Sequence, residues 1–293
     1  MSAAKMTIYA DDGCALTAYR HDPTVRGMAL HAAVVIAPGM AIRQSFYGDF
    51  AAWLARQGFR VWTFDYRGMA ESATGTMRHC EADVSRWVTQ DFDAVVRHAA
   101  GEGLPVFVVG HSLGGQVAPL LPSAGLLAGL VNIAVGSGAV RHNQPRQRRG
   151  ARLLWHVLVP LLCPLFGYFP GKRIGIIGDL PNGAVRQWRR WCLTPDYLLS
   201  GEPGAREAYA RAPYPVMALT FTDDELLLPE GSRMMHEAYR STRVDYRELQ
   251  PAQFGLQRIG HFGFFRMEQE SVLWPVVKDW LVASVERRHM MPA

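Results

Sequence analysis

The sequence predicts an α/β protein with one mostly parallel, doubly wound sheet and a helical cap inserted late in the chain. Three observations predict it. Short Val/Ile-rich runs alternate with stretches of helical spacing, the pattern of repeated strand–helix–strand units. One such run, Leu104–Val109, leads straight into Gly110-His111-Ser112-Leu113-Gly114, a strand–turn–helix junction. The rhythm then stops between Gly138 and Ala212, in a segment rich in Trp, Leu, Pro and Arg.

In chain order, Met6–Tyr9 and Ala15–Tyr19 flank Asp11-Asp12-Gly13, a hairpin signal. His31–Ala37 is a continuous apolar run, hence a strand buried on both faces. Ser45–Gln57 has helical spacing and stops at Gly58. Phe59–Phe64 is the next strand, and Asp83–Ala100 is a helix by the spacing of Val84, Trp87, Val88, Phe92 and Val95. The helix after Ser112 is cut short by Pro119 and Pro122. Leu130–Val135 is a strand. Leu153–Phe166 and Ala184–Trp191 are helical stretches of the insertion. Pro215–Thr220 and Val244–Leu249 complete the sheet, with Gly231–Arg240 helical between them and Ser271–Arg287 closing the chain. The expected division is a core of residues 1–138 and 213–293, with residues 139–212 as the cap.

Composition bounds the classes. The 293 residues are 49% hydrophobic and 19% charged, which fits a globular chain. Cys14, Cys80, Cys163 and Cys192 are scattered with no C-x-x-C pair, and Met1–Met6 has no apolar signal-peptide core. Both point to a cytoplasmic protein with reduced thiols. The apolar segment Leu153–Phe169 is short for a bilayer crossing and interrupted by Pro160, Pro164 and Gly167. The expectation is no transmembrane segment, but an apolar cap able to touch a membrane surface weakly. Net charge is +5, yet twelve Lys/Arg against four Asp/Glu lie between Arg141 and Arg211. Nucleic acid or an anionic surface would account for that excess. A solvated face of the inserted helices accounts for it more simply, so no nucleic-acid partner is expected. The histidines lack ligand-like spacing, so no metal or other cofactor is expected.

The chemistry concentrates at Ser112. Gly-x-Ser-x-Gly between a strand and a helix is a nucleophile elbow, a strained turn that lifts the serine hydroxyl clear of the sheet. Serine needs a base, and the base an orienting carboxylate, in the chain order Ser, Asp/Glu, His. His261 lies in Arg258-Ile-Gly-His-Phe-Gly-Phe-Phe265, between the last strand and the last helix. Asp223 and Asp224 follow the strand at Pro215–Thr220. An oxyanion hole needs two backbone N–H donors. Leu113, next to the nucleophile, supplies one, and Met40 of Pro38-Gly-Met40 is the nominated second. Such a donor contributes about 3 kcal/mol to the transition state. A serine in a phosphate-binding turn is the plainer alternative, but neither Gly-Lys-Ser/Thr nor G-x-G-x-x-G is present.

Together these stretches resemble the α/β-hydrolase superfamily, in its monoacylglycerol lipase-like and S33-type serine-hydrolase branch. The matching pieces are Pro38-Gly-Met40, Phe64-Asp-Tyr-Arg-Gly-Met-Ala-Glu-Ser72, Gly110–Gly115, Thr222-Asp-Asp-Glu225 and Gly260-His-Phe262. Pro38 stands where the family often has histidine, and Ala70 where it has glycine. The family's acid-strand pattern, counted from Pro215, implies Asp224 as the acid; Phe221 replaces its usual glycine, which keeps Asp223 as the alternative. The reading is hydrolysis of a small-molecule ester with an apolar acyl part, held by Leu153, Leu154, Trp155, Val157, Leu158 and Phe166. Acyl transfer by the same residues, or ligand binding without catalysis, are the alternatives. Asp65 and Arg67 read as a structural turn, His111 as a packed neighbour of the elbow, and Trp155, Trp188 and Trp191 as pocket lining or ordinary packing.

Overall fold

The computed structural model describes residues 3–23 and 30–290. Its strands are β1 Ala4–Tyr9, β2 Ala15–His21, β3 Ala33–Ala37, β4 Arg60–Phe64, β5 Val106–His111, β6 Leu127–Ile133, β7 Tyr168–Phe169, β8 Leu180–Pro181, β9 Val216–Phe221 and β10 Val244–Leu249. Eight of them form one sheet in the order β1-β2-β4-β3-β5-β6-β9-β10, and β7 and β8 form a two-residue ribbon apart from it. β1 pairs antiparallel with β2, and β2 with β4; every other pairing in the large sheet is parallel.

The central strands are apolar because both their faces are covered. All five residues of β3 and all six of β5 and β9 are buried. Side chains alternate across a strand, so β3 sends Val35 to one core and Val34 and Ile36 to the other. The first core lies under the helical run 84–100, where Val84, Trp87, Val88, Phe92, Val95 and Val96 are buried. The second lies under Gly48–Arg56 and the closing helix Trp274–Met290, through Phe50, Leu54, Trp274, Val277 and Leu281. Asp83 caps the 84–100 run by accepting the Arg86 N–H. β10 closes one edge, with the charged Asp245, Arg247 and Glu248 along it, a common guard against edge pairing.

Between β6 and β9 the chain leaves the sheet and returns to the adjacent position. This excursion carries the helix Arg148–Phe166, the helix Asn182–Leu193 and the helix Ala205–Arg211. The first of these extends the helical stretch read over Leu153–Phe166 back to Arg148 and makes it continuous, where the sequence reading had it interrupted as a bilayer crossing. The helix runs through Pro160 and Pro164 and ends at the left-handed Gly167. At Pro160 the preceding turn, Leu154–Leu158, is π-helical, whereas Pro164 sits inside the α-helical segment Val159–Phe166. The wider turn removes the i→i−4 bond which Pro160 would otherwise disrupt. By length and composition the helix could cross a bilayer, and only 22% of it is buried. Leu153, Val157, Leu161 and Leu165 are exposed along it.

Candidate active site

β5 ends at His111, and the chain reverses at Ser112 into the short helix Leu113–Val117. Ser112 has φ +48° and ψ −115°, a conformation that an L-residue adopts only when its surroundings impose it. The surroundings do so by close approach. A Cβ on Gly114 would fall on the carbonyl of Ala37, and one on Gly110 would fall on Gly115. The turn is held by the Ser112 N–H on Ile133 O at 3.0 Å and by the N–H groups of Gly115 and Gln116 on Ser112 O.

Asp224 and His261 come together from opposite sides of β10. Asp224 follows β9 and is buried, at 7% exposure. Its Oδ2 lies 2.7 Å from His261 Nδ1, which donates to it. Its Oδ1 accepts the N–H groups of Leu226 (2.8 Å) and Leu227 (2.9 Å). Burial works to raise the pKa of this carboxyl. The His261 charge and hydrogen bond, with the two N–H donors, outweigh burial and hold it below the ordinary carboxylate value.

Asp223 has a different task. Its Oδ2 accepts the N–H groups of Ile259 (2.8 Å) and Gly260 (3.1 Å), which pins the backbone of the histidine loop. Glu225 adds a third anchor by accepting the His261 N–H at 2.9 Å. Gly260 sits at φ +65°, and a Cβ there would meet the Glu225 carboxylate. The sequence reading did not single out Glu225. Three consecutive acidic residues therefore hold one loop, and only Asp224 reaches the imidazole.

His111 also does more than fill space. Its Nε2 donates to the carbonyl of His261 at 3.0 Å, and its Nδ1 accepts from the Tyr47 hydroxyl at 2.9 Å. Tyr47 Oη in turn accepts the Gly39 N–H at 2.9 Å. Only an imidazole protonated at Nε2 alone satisfies this chain. Burial first, and the nearby His261 second, push the His111 pKa down to about 3, so it stays neutral. The chain joins the loop after β3 to the loop of His261. Tyr47 had no signal in the sequence beyond its place in an amphipathic helix.

Ser112, His261, Met40 and Leu113 line one cavity of about 340 Å³. No hydrogen bond joins Ser112 Oγ to His261 among the described residues; the two share the cavity as lining. Among the described residues, the N–H groups of Met40 and Leu113 take no acceptor from the loops and turns. Leu153, Leu154, Trp155, Leu158 and Trp188 supply apolar lining, with Ile176 and Ile177 from beyond the long helix. Two residues of the predicted acyl pocket are not part of this lining. Val157 is 40% exposed on the outer face of the helix, and Phe166 packs edge-on to Tyr168 at the helix end. Trp191 is buried elsewhere, with its N–H on Glu202.

Asp65 and Arg67 sit away from this chemistry. Asp65 accepts from the backbone and side chain of Gln44 and from Glu71 N. Arg67 pairs with Asp12 and with the fully buried Asp91.

Known proteins resemble the chain in part of its sequence and in its fold. Residues 29–162 match the family described as serine aminopeptidase, S33. Among solved structures, the chain is similar to a soluble variant of monoglyceride lipase from Saccharomyces cerevisiae in complex with a substrate analogue. The identity is 15%, over 97% of this chain and 96% of that one, with a TM-score of 0.72. It is similar to Est1E from Butyrivibrio proteoclasticus with ferulic acid bound, at 15% identity, 96% and 99% coverage and a TM-score of 0.62. It is also similar to a monoacylglycerol lipase from Paleococcus ferrophilus, at 18% identity, 92% and 99% coverage and a TM-score of 0.55. A search of curated proteins returns no sequence match. The fold is the α/β-hydrolase fold, and the resemblance read from the motifs is borne out.

Proposed function

We propose that this chain is a serine hydrolase that cleaves a carboxylic ester through an acyl-enzyme, with the β6–β9 excursion as the cap over its site. One observation carries the reading. A strained serine at a strand–helix turn shares a cavity with a histidine whose far nitrogen is 2.7 Å from a buried carboxylate.

The steps follow from the residues. The ester enters with its acyl group against Leu154, Trp155 and Leu158. Neutral His261 takes the Ser112 proton at Nε2 as Oγ attacks the carbonyl carbon. The contact between these two groups closes with substrate in place, since such bonds are commonly long in the empty site. The carbonyl π electrons move to oxygen, where the N–H groups of Met40 and Leu113 receive the charge. Asp224 balances the imidazolium and keeps Nδ1 as the donor. Collapse breaks the ester C–O bond, and the alcohol leaves with the proton from Nε2. Water then adds to the acyl-enzyme, giving its proton to His261; the acid departs and Ser112 is restored.

The exposed apolar side of the helix Arg148–Phe166 supports a second part of the reading, contact with a lipid surface beside the cavity. Leu153 belongs both to that surface and to the cavity lining, and the exposed Ile176 lines the same cavity. Co-sedimentation with anionic vesicles should fall severalfold in Leu161→Asp/Leu165→Asp, and equal sedimentation would remove this part.

The catalytic reading is tested with a fluorophosphonate probe and p-nitrophenyl esters. Folded wild-type protein should be labelled at Ser112 and turn esters over. Protein that does neither is a binding module rather than an enzyme.

A further inference from the structure

A second cavity, of about 470 Å³, lies on the excursion beside the first. Arg141, Arg148, Arg152 and His156 line it, together with Thr194, and no acidic residue does. Arg148 and Arg152 are one helical turn apart on the long helix, so their side chains stand on one face. The cationic groups are poorly balanced. Arg148 donates to the backbone carbonyls of Asn143 and Arg141, which accept its N–H groups but carry no net charge. Arg141 is 3.3 Å from Asp196, and that carboxylate is shared with Arg206 at 2.8 Å. Arg152 and His156 make no hydrogen bond or ion pair among the described residues.

We propose that this cavity binds a phosphate group, as a monoester on a larger ligand or as free phosphate. Converging cations repel, and a bound anion relieves that repulsion. A carboxylate brings one charge and two oxygens in a plane. A phosphate monoester brings between one and two charges and three free oxygens pointing apart. Guanidinium groups arriving from two segments of chain match the second geometry, because their remaining N–H donors can reach different oxygens, and Arg152 has its whole fork uncommitted among the described residues. The cavity is larger than orthophosphate, which leaves room for the remainder of a ligand. Cys192 lines both this cavity and the one containing Ser112, so the two are neighbours through one wall.

The site stands independently of the hydrolase reading. None of its four basic residues lies at Ser112, and binding is read without turnover. Inorganic phosphate and hexyl phosphate are titrated calorimetrically into wild-type protein at fixed ionic strength, with sulfate and chloride as controls. The variants are Arg152→Gln and Arg152→Gln/His156→Gln; both side chains are exposed, and Arg148 is spared because it holds the 141–143 turn. Wild type should bind at least one phosphate probe more tightly than either control, and Arg152→Gln should weaken binding by tenfold or more. Equal affinity for both probes assigns the site to the phosphate group alone. Tighter binding of hexyl phosphate assigns it to an amphiphile carrying that group. Binding no better than sulfate or chloride, or unchanged in both variants, overturns the proposal.

Discussion

Asp224→Asn is the most discriminating single substitution, because the structure fixes which way the new amide must point. Asp224 Oδ1 accepts two backbone N–H groups, at 2.8 and 2.9 Å, while Oδ2 faces His261 Nδ1. In the variant, the amide oxygen keeps the two backbone donors, so the NH₂ group is turned toward His261. That NH₂ group can only donate, so Nδ1 must become an acceptor and Nε2 must carry the proton. An imidazole in that state cannot take the Ser112 proton. Restoring the useful tautomer requires flipping the amide and leaving two part-buried N–H groups without their acceptor. At about 1–3 kcal/mol each, that costs roughly 2–6 kcal/mol. With about 1.4 kcal/mol per decade, kcat/KM should fall between roughly thirtyfold and twenty-thousandfold. Asp223→Asn is the control, since its amide oxygen can still accept from Ile259 and Gly260. It should lose less than tenfold. The assay is kcat/KM for p-nitrophenyl butyrate, with circular dichroism confirming that both variants fold. A larger loss in Asp223→Asn than in Asp224→Asn would refute the reasoning and move the acid by one position.

Ser112→Ala should abolish turnover and probe labelling while keeping the unfolding midpoint; activity within tenfold of wild type ends the mechanism. Acid should destabilise the fold through its buried neutral histidines, His111 held down to about 3 and His236 to about 4, in both cases chiefly by burial. The unfolded chain takes up protons below about pH 6.5 that the folded chain refuses, so stability falls as pH drops through that window. For His111 this amounts to a loss on the order of 4 kcal/mol. Denaturant midpoints from pH 7 to 4 should therefore slope less in His111→Gln, and an unchanged slope contradicts the assignment. Finally, p-nitrophenyl esters of rising chain length should gain up to about fourfold in kcat/KM per methylene, following about 0.8 kcal/mol per buried CH₂, until the cavity fills. A flat series argues against an apolar acyl site.

The strands that carry the site were legible because burial on both faces leaves an unbroken apolar run. β3, β5 and β9 were read within two residues of their observed starts for that reason. β6 was placed three residues late because it begins Leu127-Ala-Gly129, and glycine in a strand looks like a turn. The glycine is there because a Cβ would meet the Phe107 ring at 2.7 Å and Trp280 at 3.1 Å, two contacts from distant sequence. The prolines of Arg148–Phe166 misled for a related reason. Before Pro160 the turn is widened, which local spacing does not reveal, and Pro164 is carried inside the last α-helical turns. Chain order put the serine, carboxylates and histidine in sequence, but spacing cannot aim three adjacent acids on a turn. Which one meets the imidazole depends on where the loop at 259–261 crosses them. Val157 and Phe166 were assigned to the pocket on composition alone, and composition does not say which side of an inserted helix packs down.

The histidine of the elbow shows how far such long-range partners matter. Its bonds reach 64 residues back to Tyr47 and 150 residues forward to the His261 carbonyl. Tyr47 is in turn the acceptor for Gly39, the residue before Met40. The loop that would hold the oxyanion and the loop that carries the base are therefore bonded to each other through the strand end that presents Ser112. Gly39 has no Cβ because one would press on Ile42 and stand 3.2 Å from His111 Nδ1. Protonating His111 would place a second donor against the Tyr47 hydroxyl. That hydroxyl would then have to accept from both His111 and Gly39, and its own proton would lose its buried partner. In the folded protein that protonation is held off until about pH 3, so the bonds joining the two loops persist through the window below pH 6.5 in which only the unfolded chain takes up the proton.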